Sequence, residues 1–184
     1  MSDKFKAIVI NNQDNKFERK IEELDLSSLK DGNVLVKVDY SSLNFKDALI
    51  LNDGGKIVRK FPFIPGIDFS GNVENSEDSK FKKGDRVILN GFRVGEIYFG
   101  GFSQYAKVNS EFLVKAPESL SNKHSMMMGT AGLTALLCSF AIKAKEELLL
   151  GSKVNDVLVT GATGGVGSIA VMVLSKMGYN VHAV

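Results

Sequence analysis

A single cysteine, Cys138, stands in 184 residues. With no second thiol an intrachain disulfide is excluded, and with no Cys-x-x-Cys the common zinc-ligand spacing is missing. Histidine is as sparse: His124 and His182 lie far apart and do not suggest a zinc site. Neither sign of charge prevails. Lys and Arg total 23 against 21 Asp and Glu, and a net charge of +2 gives no general drive toward nucleic acid or an anionic membrane. No segment approaches the ~18 uninterrupted apolar residues of a membrane span, and Met1-Ser-Asp-Lys-Phe5 lacks the apolar run of a signal peptide. The expectation is a cytoplasmic protein with neither a membrane nor a nucleic acid as partner.

What is present is ordinary globular material, 44% apolar and 24% charged, enough for one to two domains. Residues 1 to about 120 hold short strand-like runs separated by turn residues. Ala7–Ile10 reads as a strand with Phe17–Glu22 as its hairpin partner, across Asn11–Asn15. Val34–Tyr40 follows the Asp31-Gly32 turn signal. Asn44–Leu51 reads as a short helix, with Asn44 as its cap and Asp47 in its first turn. Asn52–Gly55 ends that helix. Ile67–Val73, Val87–Leu89, Ser103–Val108 and Phe112–Lys115 are further strands, and Gly91–Gly101 is a loop carrying Phe92, Tyr98 and Phe99. Such a pattern suggests a β-barrel-like domain.

After Pro117 the character changes. Ser121 can cap a helix through Met126–Met128, which Gly129-Thr-Ala-Gly132 interrupts. A longer helix runs from Leu133 to about Leu149, and Gly151–Asp156 is a polar connector. Then come a strand over 157–160, a glycine turn, a helix over 164–177 and a strand from Asn180. That is a βαβ unit with parallel strands. In the turn, Gly161-Ala-Thr-Gly164-Gly165-Val166-Gly167, glycine spacing suits a dinucleotide pyrophosphate. Gly161 makes the turn, Gly164 and Gly165 let backbone approach the phosphates, and Gly167 lets helix pack on strand. A tight βα turn with no ligand is the alternative. The residue that selects NAD or NADP lies at or just beyond Val184.

Five motifs run in order over nearly the whole chain: Ser41-Ser-Leu-Asn-Phe-Lys-Asp-Ala48, Phe63-Ile-Pro-Gly-Ile-Asp-Phe-Ser-Gly71, Lys83-Gly-Asp-Arg-Val87, Gly129-Thr-Ala-Gly132 and Thr160-Gly-Ala-Thr-Gly-Gly-Val-Gly167. With them the chain resembles the N-terminal part of a medium-chain dehydrogenase/reductase. It resembles the zinc-free, quinone-oxidoreductase-like YhdH/YhfP group, which includes NADPH-dependent acrylyl-CoA reductases. The resemblance implies an α/β protein: a GroES-like β-barrel domain over residues 1–120, then the incomplete start of a Rossmann NADP-binding domain over 121–184, with the active site in the cleft between. It implies NADPH as cofactor, held by Phe45, Thr130, Thr163, Gly164, Gly165, Val166 and Gly167. It points to Asn44 and Asp47 for catalysis, and to a homodimer in the longer members. Zinc-dependent relatives carry a cysteine near the start of the 44–47 helix and Gly-His-Glu where this chain has Gly66-Ile67-Asp68. Neither ligand stands here, so the resemblance implies zinc-independent chemistry. Relatives often carry tyrosine where this chain has Phe45, which keeps an aromatic wall but has no hydroxyl to donate.

The implied reaction is reduction of a conjugated C=C bond, acrylyl-CoA to propionyl-CoA, with an NADPH:quinone oxidoreductase as the alternative. A third reading, from another class, is an inactive fragment or non-catalytic binding module. Several residues carry two readings. Asn44 is the best polar group for the chemistry and also a helix cap; Asp47 is a proton relay or a dipole partner. Asp68 ties the cleft wall by a hydrogen bond, and Lys46 is solvated. Lys56, Arg59 and Lys60 meet CoA phosphates or form a charged surface loop. Phe92, Tyr98 and Phe99 line an acyl pocket or form satellite core. Met126–Met128 and Cys138 read as buried apolar groups.

Overall fold

The computed structural model describes residues 4–13, 16–52, 56–148 and 154–184. The expected turn over Asn11–Asn15, the helix stop over Asn52–Gly55, the end of the long helix at Leu149 and the connector over Gly151–Asp156 lie wholly or partly outside the described residues. The chain divides into two compact units, Met1–Gly129 and Thr130–Val184.

In the first unit β1 (Lys4–Gln13) and β2 (Lys16–Asp25) form an antiparallel ribbon, the expected hairpin, with Ile8 opposite Ile21. Charged residues dominate β2, so its outer face meets solvent, while Phe5, Ala7 and Val9 of β1 alternate into a core with Leu29 and Ile64. Five further strands make an antiparallel sheet: β3 (Val34–Tyr40), β4 (Asp68–Ser76), β5 (Arg86–Asn90), β6 (Tyr105–Val108) and β7 (Val114–Lys115), in the order β6-β3-β4-β5-β7. Val34, Val36, Phe69, Val73, Val87, Leu89, Ala106 and Val108 occupy alternate positions on these strands and form its core. Each such fully buried aliphatic or aromatic side chain contributes about 1.5–3 kcal/mol of transfer free energy. The ribbon joins this sheet through backbone bonds from Ile8 N–H to the Phe102 carbonyl and from Gln104 N–H to the Lys6 carbonyl, each 2.9 Å. Farther along the same edge of β1, Ile10 and Phe63 exchange both backbone hydrogen bonds. Helix α1 (Phe45–Leu51) follows β3 and buries Ile50 against Ile10, Val58 and Phe63.

Arg86 donates to the carbonyls of Pro117 and Glu118 at 3.0 and 3.2 Å, and also to that of Leu120. It thereby fixes the connector that leads to α2 (Asn122–Leu148). Ser70 Oγ–H on β4 donates to the Asn122 carbonyl at 2.7 Å. By length and composition alone Asn122–Glu146 is long and apolar enough to cross a membrane, a departure from the expectation that no segment approaches that length. Its backbone is interrupted at Gly129, with φ 52° and ψ −157°.

The second unit is the βαβ arrangement. β8 (Asp156–Val159) and β9 (Asn180–Ala183) pair in parallel, with α3 (Gly165–Lys176) between them in sequence. Its buried residues include Ala135 and Ser139 of α2 and Gly167, Ala170 and Leu174 of α3. Glu146 accepts from Val154 N–H and from the Tyr179 hydroxyl, both at 2.8 Å, so one carboxylate ties the end of α2 to the segments entering β8 and β9. The exposed apolar residues of this unit include Leu137, Phe140, Leu158 and Met172. Cys138 is also exposed, not buried as its apolar surroundings suggested. Met126 is buried while Met127, one position on, points to solvent, because successive helical positions turn about 100°.

The interruption at Gly129 sets a test. Its conformation is in the region that only glycine adopts readily, and a Cβ there would lie 2.5 Å from Ser42 Oγ. Gly129→Ala is expected to destabilise the protein by about 2 kcal/mol or more, read by urea unfolding.

Candidate active site

Unit one builds a polar cluster at the end of β3. Asn44 takes an extended conformation, φ −114° and ψ 158°, and α1 begins at the next residue. Its backbone N–H donates to Asp47 Oδ2 at 2.8 Å, the N-cap arrangement in which a third-position carboxylate reaches back to the cap. The other oxygen of Asp47 accepts from Ile67 N–H at 3.0 Å. This carboxylate is 0% exposed, so it joins the start of α1 to the residue before β4. Burial pushes its pKa up, its hydrogen bonds from Asn44 and Ile67 oppose that, and the neighbouring Asp68 adds to the rise.

Asp68, also fully buried, opens β4. Its Oδ1 accepts from Ser42 N–H at 2.8 Å, and its Oδ2 accepts from Ser42 Oγ–H at 2.6 Å and from Asn44 Nδ2–H at 3.1 Å. Ser41 Oγ–H donates to the Asp68 carbonyl at 2.6 Å. Asn44 Nδ2 also lies 3.0 Å from Ser42 Oγ. The amide of Asn44 is thus held from inside the protein. Phe45 stands next to it, 81% exposed as a residue, an aromatic side chain turned out to solvent. Ser41, Ser42 and the contact with Gly129 were not picked out from sequence as parts of a site. A serine pair ahead of a cap residue, with a buried aspartate elsewhere, is a weak signal until topology joins them.

One other side chain differs from expectation, and three aromatic rings had two readings open. Lys46 is not simply solvated: its Nζ pairs with Glu96 Oε1 at 2.7 Å. Tyr98 packs on the sheet core and Phe99 on the two smaller cores. Phe92 stacks on Phe112 with ring centroids 4.8 Å apart. Tyr98 and Phe99 thus pack as satellite core, whereas Phe92 stays half exposed. Among the described residues no group of three or more His, Cys, Asp and Glu side chains is placed to hold a metal ion.

Unit two holds the glycine turn. Gly161 has φ 64°, which turns the chain out of β8. Thr163, Gly164, Gly165 and Val166 are exposed and Gly167 is buried. A Cβ on Gly167 would stand 2.2 Å from the Gly161 carbonyl oxygen. Glycine there lets α3 close onto its own turn, not onto the strand as its spacing suggested. The first N–H groups of a helix have no partner within it and carry the positive end of its dipole. Here they open at an exposed, side-chain-poor turn, the cradle a pyrophosphate fits. Thr130, the first residue of this unit, belongs to the α2 segment that packs here: a Cβ on Gly165 would lie 3.3 Å from that of Ala131. A groove of about 480 Å³ runs beside the turn and includes Cys138 and Ile142.

Residues 30–118 match the alcohol dehydrogenase GroES-like domain. The chain is 47% identical over 182 residues to the acrylyl-CoA reductase AcuI of Ruegeria pomeroyi, covering 98% of this chain and 54% of that protein. It is 34% identical over 157 residues to a quinone oxidoreductase of Sus scrofa, covering 83% and 44%. The crystal structure of the yhdH oxidoreductase from Salmonella enterica in complex with NADP superposes with a TM-score of 0.90 at 46% identity, over 97% of this chain and 54% of that one. The Bacillus subtilis protein yhfP with NAD bound gives 0.89 at 41%, over 99% and 54%. The chain therefore spans about half the length of the curated relatives it matches. The fold is α/β, a GroES-like domain followed by the beginning of a Rossmann-type parallel sheet.

Asp47 yields a pH test. Its folded pKa lies above its unfolded value, so between the ordinary carboxylate range, about 3.9, and the raised value the folded chain holds more proton than the unfolded. Its contribution to stability is fully present below the unfolded pKa and is lost as pH rises through the folded one. Asp47→Asn removes this component. The stability of the variant minus that of the wild type, from urea unfolding at stepped pH above about pH 4, is expected to rise with pH.

Proposed function

We propose that the chain serves an NADPH-dependent reduction of a conjugated C=C bond, acrylyl-CoA to propionyl-CoA, in a zinc-independent manner; its similarity over nearly its whole length to the N-terminal part of the acrylyl-CoA reductase AcuI and of the yhdH oxidoreductase supports this. The glycine turn of unit two carries this reading, since its exposed backbone and buried Gly167 fit a dinucleotide pyrophosphate. Bound NADPH would supply the hydride that adds to the β-carbon of the thioester-conjugated alkene.

The chain's own residues divide the remaining work. N–H groups at the start of α3, with Thr163, Gly164, Gly165, Val166 and Gly167, hold the pyrophosphate. Thr130 contacts the cofactor from the start of the same unit, and the exposed ring of Phe45 offers a flat wall for the nicotinamide. Asn44 is the polar side chain beside that ring, oriented by Ser42 and Asp68, while buried Asp47 fixes the backbone that carries it. An amide has no proton to release near neutral pH, and Phe45 has no hydroxyl. Neither of these two side chains therefore supplies the proton that completes the product at the α-carbon, which comes from another residue or from water. Domain limits at 1–120 and 121–184, a homodimer for the longer protein and a cytoplasmic setting belong to the same proposal.

A second reading, NADPH:quinone oxidoreductase, rests on the similarity to the Sus scrofa protein. A third, in which residues 1–184 bind cofactor weakly and turn nothing over, rests on the exposed apolar residues of unit two. Purified protein spanning the relatives' full length, assayed with NADPH and either acrylyl-CoA or quinones, separates the first two. Faster turnover of acrylyl-CoA is expected, and faster turnover of quinones would sink the CoA reading. Gly167→Ala is expected to weaken NADPH binding by about tenfold or more, followed by quenching of protein fluorescence, because the added Cβ must displace backbone at the cradle. Saturable tight NADPH binding by residues 1–184 alone would remove the third reading.

A further inference from the structure

We propose that a cationic groove in unit one, lined by Ile57, Arg59, Lys60, Arg93, Glu96 and Ile97, is a subsite for the 3′-phosphorylated adenosine diphosphate end of a thioester carrier. This deepens the acrylyl-CoA reading and rests on it. The groove has a volume of about 370 Å³, with Phe63 at its floor. Arg59 and Lys60 are exposed, and among the described residues neither has an acidic partner. Glu96 is already engaged by Lys46 at 2.7 Å and by Arg93 at 3.9 Å. The rim thus presents more positive than negative charge, while Ile57, Ile97 and Phe63 supply apolar surface for a flat base. Phosphate oxygens and guanidinium or ammonium groups form charge-assisted hydrogen bonds, and arginine can engage two oxygens at once.

The loop that carries Arg93 is built rather than loose. Phe92 and Arg93 both hold left-handed backbone conformations, φ 52° and 61°, which cost free energy in residues other than glycine. They are maintained by the stack of Phe92 on Phe112 and by convergence of three N–H groups, from Glu96, Ile97 and Tyr98, on the Arg93 carbonyl at 2.9 to 3.3 Å. Lys46 links the groove to α1 through Glu96. It follows Phe45 directly in sequence, so a ligand anchored here lies on the unit that carries the Asn44 cluster.

The test is calorimetric titration of CoA, 3′,5′-ADP and 2′,5′-ADP into wild type, Arg59→Glu/Lys60→Glu and Arg59→Ala/Lys60→Ala. Both positions are exposed, and unchanged thermal midpoints will show that the variants fold. Wild type is expected to bind CoA and 3′,5′-ADP, and both variants to lose about tenfold or more in affinity, the charge reversal more than the alanine pair. Absence of binding by wild type, equal affinity in the variants, or a loss of 2′,5′-ADP affinity in the variants as large as that of 3′,5′-ADP would each overturn the subsite. Turnover of acrylyl-CoA by the full-length protein reports separately on the parent reading. Turnover without dependence of CoA affinity on Arg59 and Lys60 refutes the groove alone, and groove-dependent binding without turnover refutes the parent reading alone.

Discussion

The buried carboxylate of Asp68 is the constraint on which the geometry of unit one depends. A buried carboxyl group needs hydrogen-bond partners, and this one finds them in the Ser42 backbone, the Ser42 hydroxyl and the Asn44 amide. Those donors belong to the segment between β3 and α1, so satisfying one acid orders the segment. Asp47 repeats the device one helical turn along, using the Asn44 and Ile67 N–H groups. Gly129 completes the cluster by exclusion: any side chain there would press on Ser42. The outcome is a rigid platform from which Phe45 projects outward. Breaking one member of such a network leaves the others buried and short of partners, which costs more than the net gain of a single hydrogen bond.

Much of this fold was legible in the sequence. Period-two apolar residues marked the strands, Asn44 followed by Asp47 marked a capped helix, and Gly161 to Gly167 marked the βα turn. The parallel pairing of β8 with β9 follows from strand, helix, strand in so short a span. What escaped was set by contacts distant in sequence. Ser41 and Ser42 acquire a role only when β4 lies beside β3, and Lys46 finds Glu96 fifty positions away. Cys138 looked buried because its neighbours are apolar, yet apolar neighbours along a helix do not say which face is covered. Gly167 was assigned to helix–strand packing from its spacing, whereas the atom it must avoid is the carbonyl of Gly161, three residues before Gly164.

The two units contribute different physics to the proposed chemistry. Unit two offers a helix N-terminus stripped of side chains, a generic device for phosphate, so it explains cofactor affinity better than substrate choice. Unit one holds its polar groups by internal hydrogen bonds and presents a ring and a cationic groove. That division matches the general rule that folds supply scaffolds and grafted sites supply specificity. It also accounts for why relatives with similar folds include a protein named for acrylyl-CoA and another named for quinones.

The claim that Asp68 orders the platform is open to direct measurement by hydrogen exchange on wild type and Asp68→Asn. An asparagine at this position turns an amide NH₂ or a single acceptor toward donors that met two carboxylate oxygens. The account predicts faster exchange confined to residues 41–51 and the Gly129 region, with protection of the β3–β4–β5 sheet retained. Unchanged exchange over residues 41–51, or a uniform loss of protection throughout unit one, would contradict it.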